Sequence, residues 1–288
     1  MQVTIWGCRG SLPSPGASKL RYGGDTTCVE VRLDDGTLIV LDAGTGIREF
    51  GATRCEGVQE VHLLLTHLHM DHVEGFPFFS MLWSPDTKLN VWGPPSPMLS
   101  LKERLAKYMS PPLFPIDLHD VPASTTFHDL PNEPWTIGSA TVLASPVEHP
   151  GPTVGYRFEE SGRTFAFMPD HEPAALGDFQ SESPDWIDGF AIAEGADVLM
   201  HDSQYTDDEY ASRRGWGHSS FADAVAYAQV TGAKKLLMFH HDPTHDDEAL
   251  EEMERAAGRL WEANGQLPKL AAAGLTIELT AAAVSLPS

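Results

Sequence analysis

Residues 61–66, VHLLLT, form an almost unbroken apolar run, followed at once by His67, Leu68, His69, Met70, Asp71 and His72. A short run that is apolar on both of its alternating faces reads as a strand buried on both sides, the kind found inside a layered α/β protein. Three imidazoles and a carboxylate directly past such a strand have no packing reason to be there, and a solvated turn needs no fully apolar strand before it. Extended backbone points His67 and His69 the same way, and a helix starting near Asp71 presents Asp71 and His72 beside them. Nitrogen and carboxylate donors at this spacing suit borderline divalent cations, which they bind at ~2.0–2.2 Å. Once more distant ligands are added, four donors exceed one open catalytic site, so the spacing predicts two metals.

The rest of the chain supplies a scaffold for such a strand. VTIW, CVEVRL and TLIVLD, separated by the turns PSPG, YGGD and LDDGT, predict an antiparallel meander. The proline-rich stretch 77–134 has room for a strand LNVW and a helix MLSLKERLAKYM, the remainder reading as loop. Strand signals resume at ATVLAS, TVGYRF and RTFAFM, then alternate with helices: IDGFAIAEGA, the strand ADVLMHD, the helix SSFADAVAYAQVTG ending at Gly232, the strand KLLMF, an acidic helix from Asp246 to about Ala263, and a last strand LTIEL. No repeat interrupts this order, and one α/β domain spanning residues 1–288 is the expectation.

Composition narrows the partners. With 41 acidic against 19 basic side chains the formal charge is -22, which repels long nucleic acids. Cys8, Cys28 and Cys55 show no close pairing and read as buried hydrophobes in a reducing compartment. The start MQVTIWGCRGS lacks a basic region followed by an apolar stretch, and no run reaches the ~20 apolar residues of a membrane span. A cytoplasmic location without a membrane partner is expected.

The pattern His-x-His-x-Asp-His after a buried strand resembles the hallmark of the metallo-β-lactamase superfamily, and the resemblance extends over nearly the whole chain. It implies a four-layer αββα sandwich, with metals at the edge between the two sheets and further His, Asp and His ligands in that order. The matching positions are His149 in VEHPGPTVGY, Asp170 in FAFMPDHEP and His240 in LLMFHHDP. By this resemblance His67, His69 and His149 hold one divalent ion, Asp71, His72 and His240 hold the second, and Asp170 bridges them. Zinc is the expected metal, with manganese the alternative.

Local matches are similar to the phosphodiesterase branch that includes ribonuclease Z and small cyclic-phosphodiester hydrolases. LDAGTG resembles an Asp-x-Gly-x-Gly turn, which makes Asp42 a support for the metal loop and not a ligand. HPGPTVGYRF resembles that branch's His followed by Gly-Tyr. MHDSQY and GHSS resemble the His-Glu-Ala-Thr and His-Ser-Thr loops of ribonuclease Z, with Asp202 orienting His218. FHHDP replaces the usual Thr-His-Phe-Ser, leaving His240 as the favoured ligand and His241 as a neighbour that supports the site. His241 and His245 could each contact phosphate or cap the helix near Asp246, and Asp25 could approach the site or serve as a turn residue. Trp216 lies beside His218 and could wall a pocket, whereas Trp83, Trp92 and Trp135 are candidates for either wall or core. Ribonuclease Z grips transfer RNA with a basic arm. Here Lys102, Arg104 and Lys107 read as a solvated helix face, which argues against a large RNA substrate.

Two adjacent cations lower the pKa of bound water from ~15.7 to ~7 and stabilise charge on phosphoryl oxygens. His218, oriented by Asp202, is the candidate acid for the leaving oxygen, and Asp71 is the carboxylate whose loss should abolish turnover. The expectation is a dinuclear hydrolase acting on a small nucleotide or cyclic-nucleotide phosphodiester through a metal-bridging hydroxide. Two alternatives stand beside it: a carbonyl-ester hydrolase on the same metals (a glyoxalase II-like thioesterase, lactonase or β-lactamase) and a non-catalytic metal- or ligand-binding protein. Such proteins are often dimers, so a homodimer is open.

Overall fold

The computed structural model describes residues 1–288 apart from 56, 178, 263–265, 281–283 and 286–288. Strands β1 (Gln2–Gly7), β2 (Cys28–Arg32) and β3 (Leu38–Leu41) pair antiparallel, as the turn residues between them predict. After α1 (Ile47–Arg54) the pairing becomes parallel. β4 (Glu60–Leu64) joins β3, and beyond the single turn α2 (Met70–Val73) the strand β5 (Lys88–Gly93), helix α3 (Leu101–Tyr108) and strand β6 (Ser124–Asp129) extend the sheet.

A second sheet begins with the antiparallel run β7 (Trp135–Ile137), β8 (Ala140–Pro146), β9 (Val154–Glu160) and β10 (Arg163–Met168). Past α4 (Phe190–Ala193) it turns parallel through β11 (Val198–Asp202), α5 (Asp207–Tyr210), α6 (Phe221–Val230), β12 (Leu236–Phe239), α7 (Asp247–Leu260) and β13 (Lys269–Leu270). β14 (Thr276–Leu279) and β15 (Val284–Ser285) return to the first sheet beside β1. The strand orders are β15-β14-β1-β2-β3-β4-β5-β6 and β13-β12-β11-β10-β9-β8-β7.

The apolar runs explain the layers. All four side chains of β3 are buried, and their alternation sends Ile39 and Leu41 between the sheets while Leu38 and Val40 face α1. Between the sheets, Val3, Ile5, Val29 and Val31 meet Tyr156, Phe158, Phe165, Phe167 and Phe239. On the outer face of the second sheet, Leu199, Leu236 and Met238 pack under Ala224, Val225 and Ala228 of α6 and Leu250 and Met253 of α7. Each fully buried Leu, Val or Phe contributes ~1.5–3 kcal/mol. The result is the four-layer αββα sandwich expected. Among the described residues no helix is long and apolar enough to cross a membrane.

Three expectations fail locally. STTFHD is a strand, not loop, because as the sheet's outermost strand it keeps half its side chains in solvent and loses the apolar signature. The segment IDGFAIAEGA holds a single helical turn, since Gly189 at φ 64° and Gly195 at φ 59° bracket it. LTIEL is followed by the further strand β15. The acidic helix begins at its Asp246 cap as expected and ends at Leu260; Ala263 lies outside the described residues.

Candidate metal centre

Strand ends converge on one rim. His67 follows β4, Asp170 comes two residues after β10, Asp202 ends β11 and His240 follows β12 directly. In parallel sheets this carboxyl edge is where ligands bind. Two bonds tie the sheets together at the rim: the Val154 amide donates to the Thr66 carbonyl (3.1 Å) and the Tyr156 hydroxyl to the Leu65 carbonyl (2.7 Å). His69, extended at φ -67° and ψ 156°, starts α2 and so turns Asp71 and His72 toward the histidines before it.

Four of the five imidazoles are anchored through Nδ1, which leaves Nε2 to face inward, while His69 Nδ1 meets His149 Nε2 at 3.1 Å. His72 Nδ1 pairs with Asp42 Oδ2 (2.8 Å), His67 Nδ1 with Thr66 Oγ1 (3.1 Å), His149 Nδ1 with the Gly217 carbonyl (2.7 Å) and His240 Nδ1 with Gln204 Oε1 (2.8 Å). Anchors of this kind set the tautomer and raise the basicity of a metal-binding histidine. Asp42, itself left-handed at φ 59°, also accepts from the Thr66 amide (2.7 Å) and hydroxyl (2.8 Å), and so ties the loop before α2 to His72. His240 is left-handed at φ 61°, and a Cβ at position 10 would collide with its ring, so Gly10 cannot be replaced without displacing it. Strain of this kind persists where the surroundings over-determine a functional geometry.

The donor atoms fall into sets small enough to hold cations. His67, His69 and His149 form one set and Asp71, His72 and His240 another; within each, the donor atoms lie within 4.8 Å of one another. Asp170 stands between them, with Oδ2 3.7 Å from both His67 Nε2 and His149 Nε2, and Oδ1 3.0 Å from His72 Nε2 and 3.4 Å from His240 Nε2. His67 Nε2, His72 Nε2 and Asp170 Oδ1 are nevertheless buried without an aligned hydrogen-bond partner. Three such orphans would each cost ~1–3 kcal/mol. The set of nitrogen and carboxylate donors therefore fits divalent cations. Burial disfavours charge on Asp170, yet the His240, His72 and His67 imidazoles hold its carboxyl well below the usual range.

His218 borders this cluster. Its Nδ1 is 2.7 Å from Asp202 Oδ2, and its ring stacks on His240 with centroids 4.8 Å apart. Burial opposes the imidazolium, but Asp202 outweighs it and lifts His218 to about 9. The segment carrying His218 is fastened by Glu172, whose buried carboxylate accepts from the Tyr210 hydroxyl (2.9 Å), the Gly215 amide (2.7 Å) and the Gly217 amide (2.6 Å).

Not every candidate joins. His241 turns away: its Nε2 meets the Ala271 carbonyl at 2.8 Å and its ring meets Tyr22, because the left-handed His240 sends consecutive side chains in different directions. His245 pairs with Glu209 (3.0 Å), and Asp25 accepts from Thr45 Oγ1 (2.8 Å). Trp92 and Trp135 stack in one aromatic group, with His62 and His128 also against Trp92, while Trp83 Nε1 donates to the Pro77 carbonyl. Sequence reasoning missed Gln204 and Glu172, and also a buried chain in which His171 bridges Asp188 (3.0 Å) and His201 (2.9 Å) beneath Asp170. The HDSQ and DHE contexts were the available signals for Gln204 and Glu172.

The β-lactamase superfamily domain matches residues 37–241, and the chain belongs to that family. Ribonuclease Z of Porphyromonas gingivalis is 25% identical over 292 aligned positions, covering 85% of this chain and 90% of the relative. Among solved structures, the metallo-β-lactamase fold protein YhfI from Bacillus subtilis superposes with a TM-score of 0.68 at 19% identity, over 96% of this chain and 98% of that one. A diphosphatase of the PhnP family superposes with a TM-score of 0.66 at 20% identity, over 99% of both chains.

Proposed function

We propose that this protein is a dinuclear metal-dependent hydrolase, a phosphodiesterase acting on small nucleotide or cyclic-nucleotide phosphodiesters. The observation that carries the reading is the Asp202–His218 pair set against a seven-donor cluster. A carbonyl hydrolase at the same cluster has less need of a separate proton donor held this way. Supporting it are the ribonuclease Z and diphosphatase relatives and the -22 charge, which favours a small substrate over a long RNA.

His67, His69 and His149 would hold one cation, Asp71, His72 and His240 the other, with Asp170 shared. When bound, the pair supplies a water polarised for attack near neutral pH and neutralises charge on the phosphoryl oxygens. The chain's own groups do the rest. Asp42, Thr66, Gly217 and Gln204 orient the imidazoles. Asp202 holds His218 by Nδ1, leaving Nε2 to donate a proton to the leaving alkoxide. Zinc is the metal proposed, with manganese as the alternative; a cytoplasmic setting and a homodimer complete the proposal.

The test is turnover by metal-analysed protein of bis(p-nitrophenyl) phosphate, cyclic nucleotides, dinucleotides, a thioester and a lactone, with Asp71→Ala as the blank. Phosphodiester cleavage lost in the variant is expected. Thioester or lactone turnover alone would replace this reading with the carbonyl-ester one, and binding without turnover of any class would make the protein a sensor.

A further inference from the structure

A cleft of about 340 Å³ opens beside His218, lined by Ser11, Tyr205, Arg213, Trp216 and Asp242 among others, and it adjoins the donor cluster, since the Ser11 amide donates to Asp71 Oδ2 (2.7 Å). Arg213 is the one Arg or Lys among the described residues lining it. Its guanidinium lies 4.8 Å over the Tyr205 ring, and its nearest carboxylate oxygen is Glu209 Oε1 at 3.9 Å, too long for a hydrogen bond. Glu209 is already engaged by the Thr206 amide (2.8 Å), the Thr206 hydroxyl (2.9 Å) and His245 Nε2 (3.0 Å). Asp242 is likewise taken by the Thr244 amide (2.8 Å) and Gln204 Nε2 (3.4 Å). The stacked guanidinium is thus oriented with donors left over, in a protein otherwise strongly anionic. Beside it Trp216 is 61% exposed, on the segment that Glu172 fastens through Gly215 and Gly217. An exposed indole on a fastened segment is a stacking platform.

We infer that this cleft binds the leaving side of the substrate: a nucleoside whose base stacks on Trp216 and whose own phosphate is gripped by Arg213. The inference rests on the hydrolase reading above, because His218, as donor to the leaving oxygen, both lines the cleft and stacks on His240 of the cluster. Guanidinium forks suit phosphate oxygens, and planar rings of any base suit an indole face. The matching substrate is a short nucleotide ending in a 5′-phosphate. Water cleaves such a dinucleotide by forming one P–O bond as the bond to the leaving 3′-oxygen breaks, that oxygen taking a proton.

The experiment compares pApA, which would release two AMP, with ApA, which would release adenosine and AMP. Affinity is measured by calorimetry on metal-free protein and kcat/KM on zinc-loaded protein. Wild-type protein is expected to prefer pApA by roughly tenfold in both, the scale of a charge-assisted phosphate contact. Arg213→Ala should bring the ratio near one, while Trp216→Ala weakens both ligands and keeps the ratio. A wild-type ratio near one, or a ratio unchanged in Arg213→Ala, overturns the cleft assignment. If the binding preference holds while no phosphodiester is cleaved, the cleft stands as a phosphate site and the hydrolase reading falls.

Discussion

Asp202 ends a strand of the second sheet and holds His218, sixteen positions on in the chain, at 2.7 Å between Oδ2 and Nδ1. The same carboxylate accepts from the Gln204 amide (3.0 Å) and the Ser219 amide (3.2 Å), so it is immobilised before it orients the ring. Substituting His218→Ala should lower kcat by about 10²–10⁴-fold with a smaller change in KM, as removal of a general acid does. Steady-state kinetics on a phosphodiester checks this.

The pH profile carries a sign. Burial pushes His218 down but Asp202 pushes it further up, to about 9, so the proton-bearing form persists below that value and is lost as pH rises through it. Asp202→Asn removes the raising charge. The basic limb of kcat/KM should therefore move to lower pH in the variant.

Asp42 links metal loop and sheet through Thr66 and His72. Asp42→Ala leaves His72 Nδ1 and the Thr66 amide unpaired in a fully buried place, at a cost of about 1–3 kcal/mol for each unpaired group. Loss of the supporting carboxylate should also weaken metal affinity by roughly 10–100-fold. Chemical denaturation and a competitive zinc indicator measure the two effects separately.

Gly217 sits at φ 91°, donates its amide to Glu172 and offers its carbonyl to His149 Nδ1. A Cβ there would overlap the His149 ring and Pro150. Gly217→Ala should destabilise the fold by about 1–3 kcal/mol, and Glu172→Gln, which keeps the shape but turns one acceptor into a donor, should lower kcat more than it raises KM. Thermal melts and kinetics of the two variants test this.

Chelation should destabilise the protein. His67 Nε2, His72 Nε2 and Asp170 Oδ1 are buried without partners, so cations that satisfy them bind the folded chain in preference to the unfolded one. The melting temperature is expected to rise with added zinc, with ~2.7 kcal/mol gained at a hundredfold excess over the dissociation constant. A melting temperature indifferent to both chelator and zinc would contradict this.

The readable part of this protein was its strands and strand ends. A strand buried on both faces announces itself by its apolar run, and VHLLLT, ADVLMHD and KLLMF each deliver a polar group at the rim. β6 was hidden because an edge strand alternates with solvent. His241 was misplaced because a left-handed residue before it reverses the expected direction, and backbone handedness at a histidine has no sequence signal. Glu172 and Gln204 escaped because their partners, Gly217 and His240, are tens of residues away in the chain.

The most direct test is zinc-edge anomalous diffraction from crystals of the zinc-loaded protein. Two peaks per chain are expected, one among His67, His69 and His149 and one among Asp71, His72 and His240, with Asp170 between them. A single peak elsewhere, or none, would contradict this.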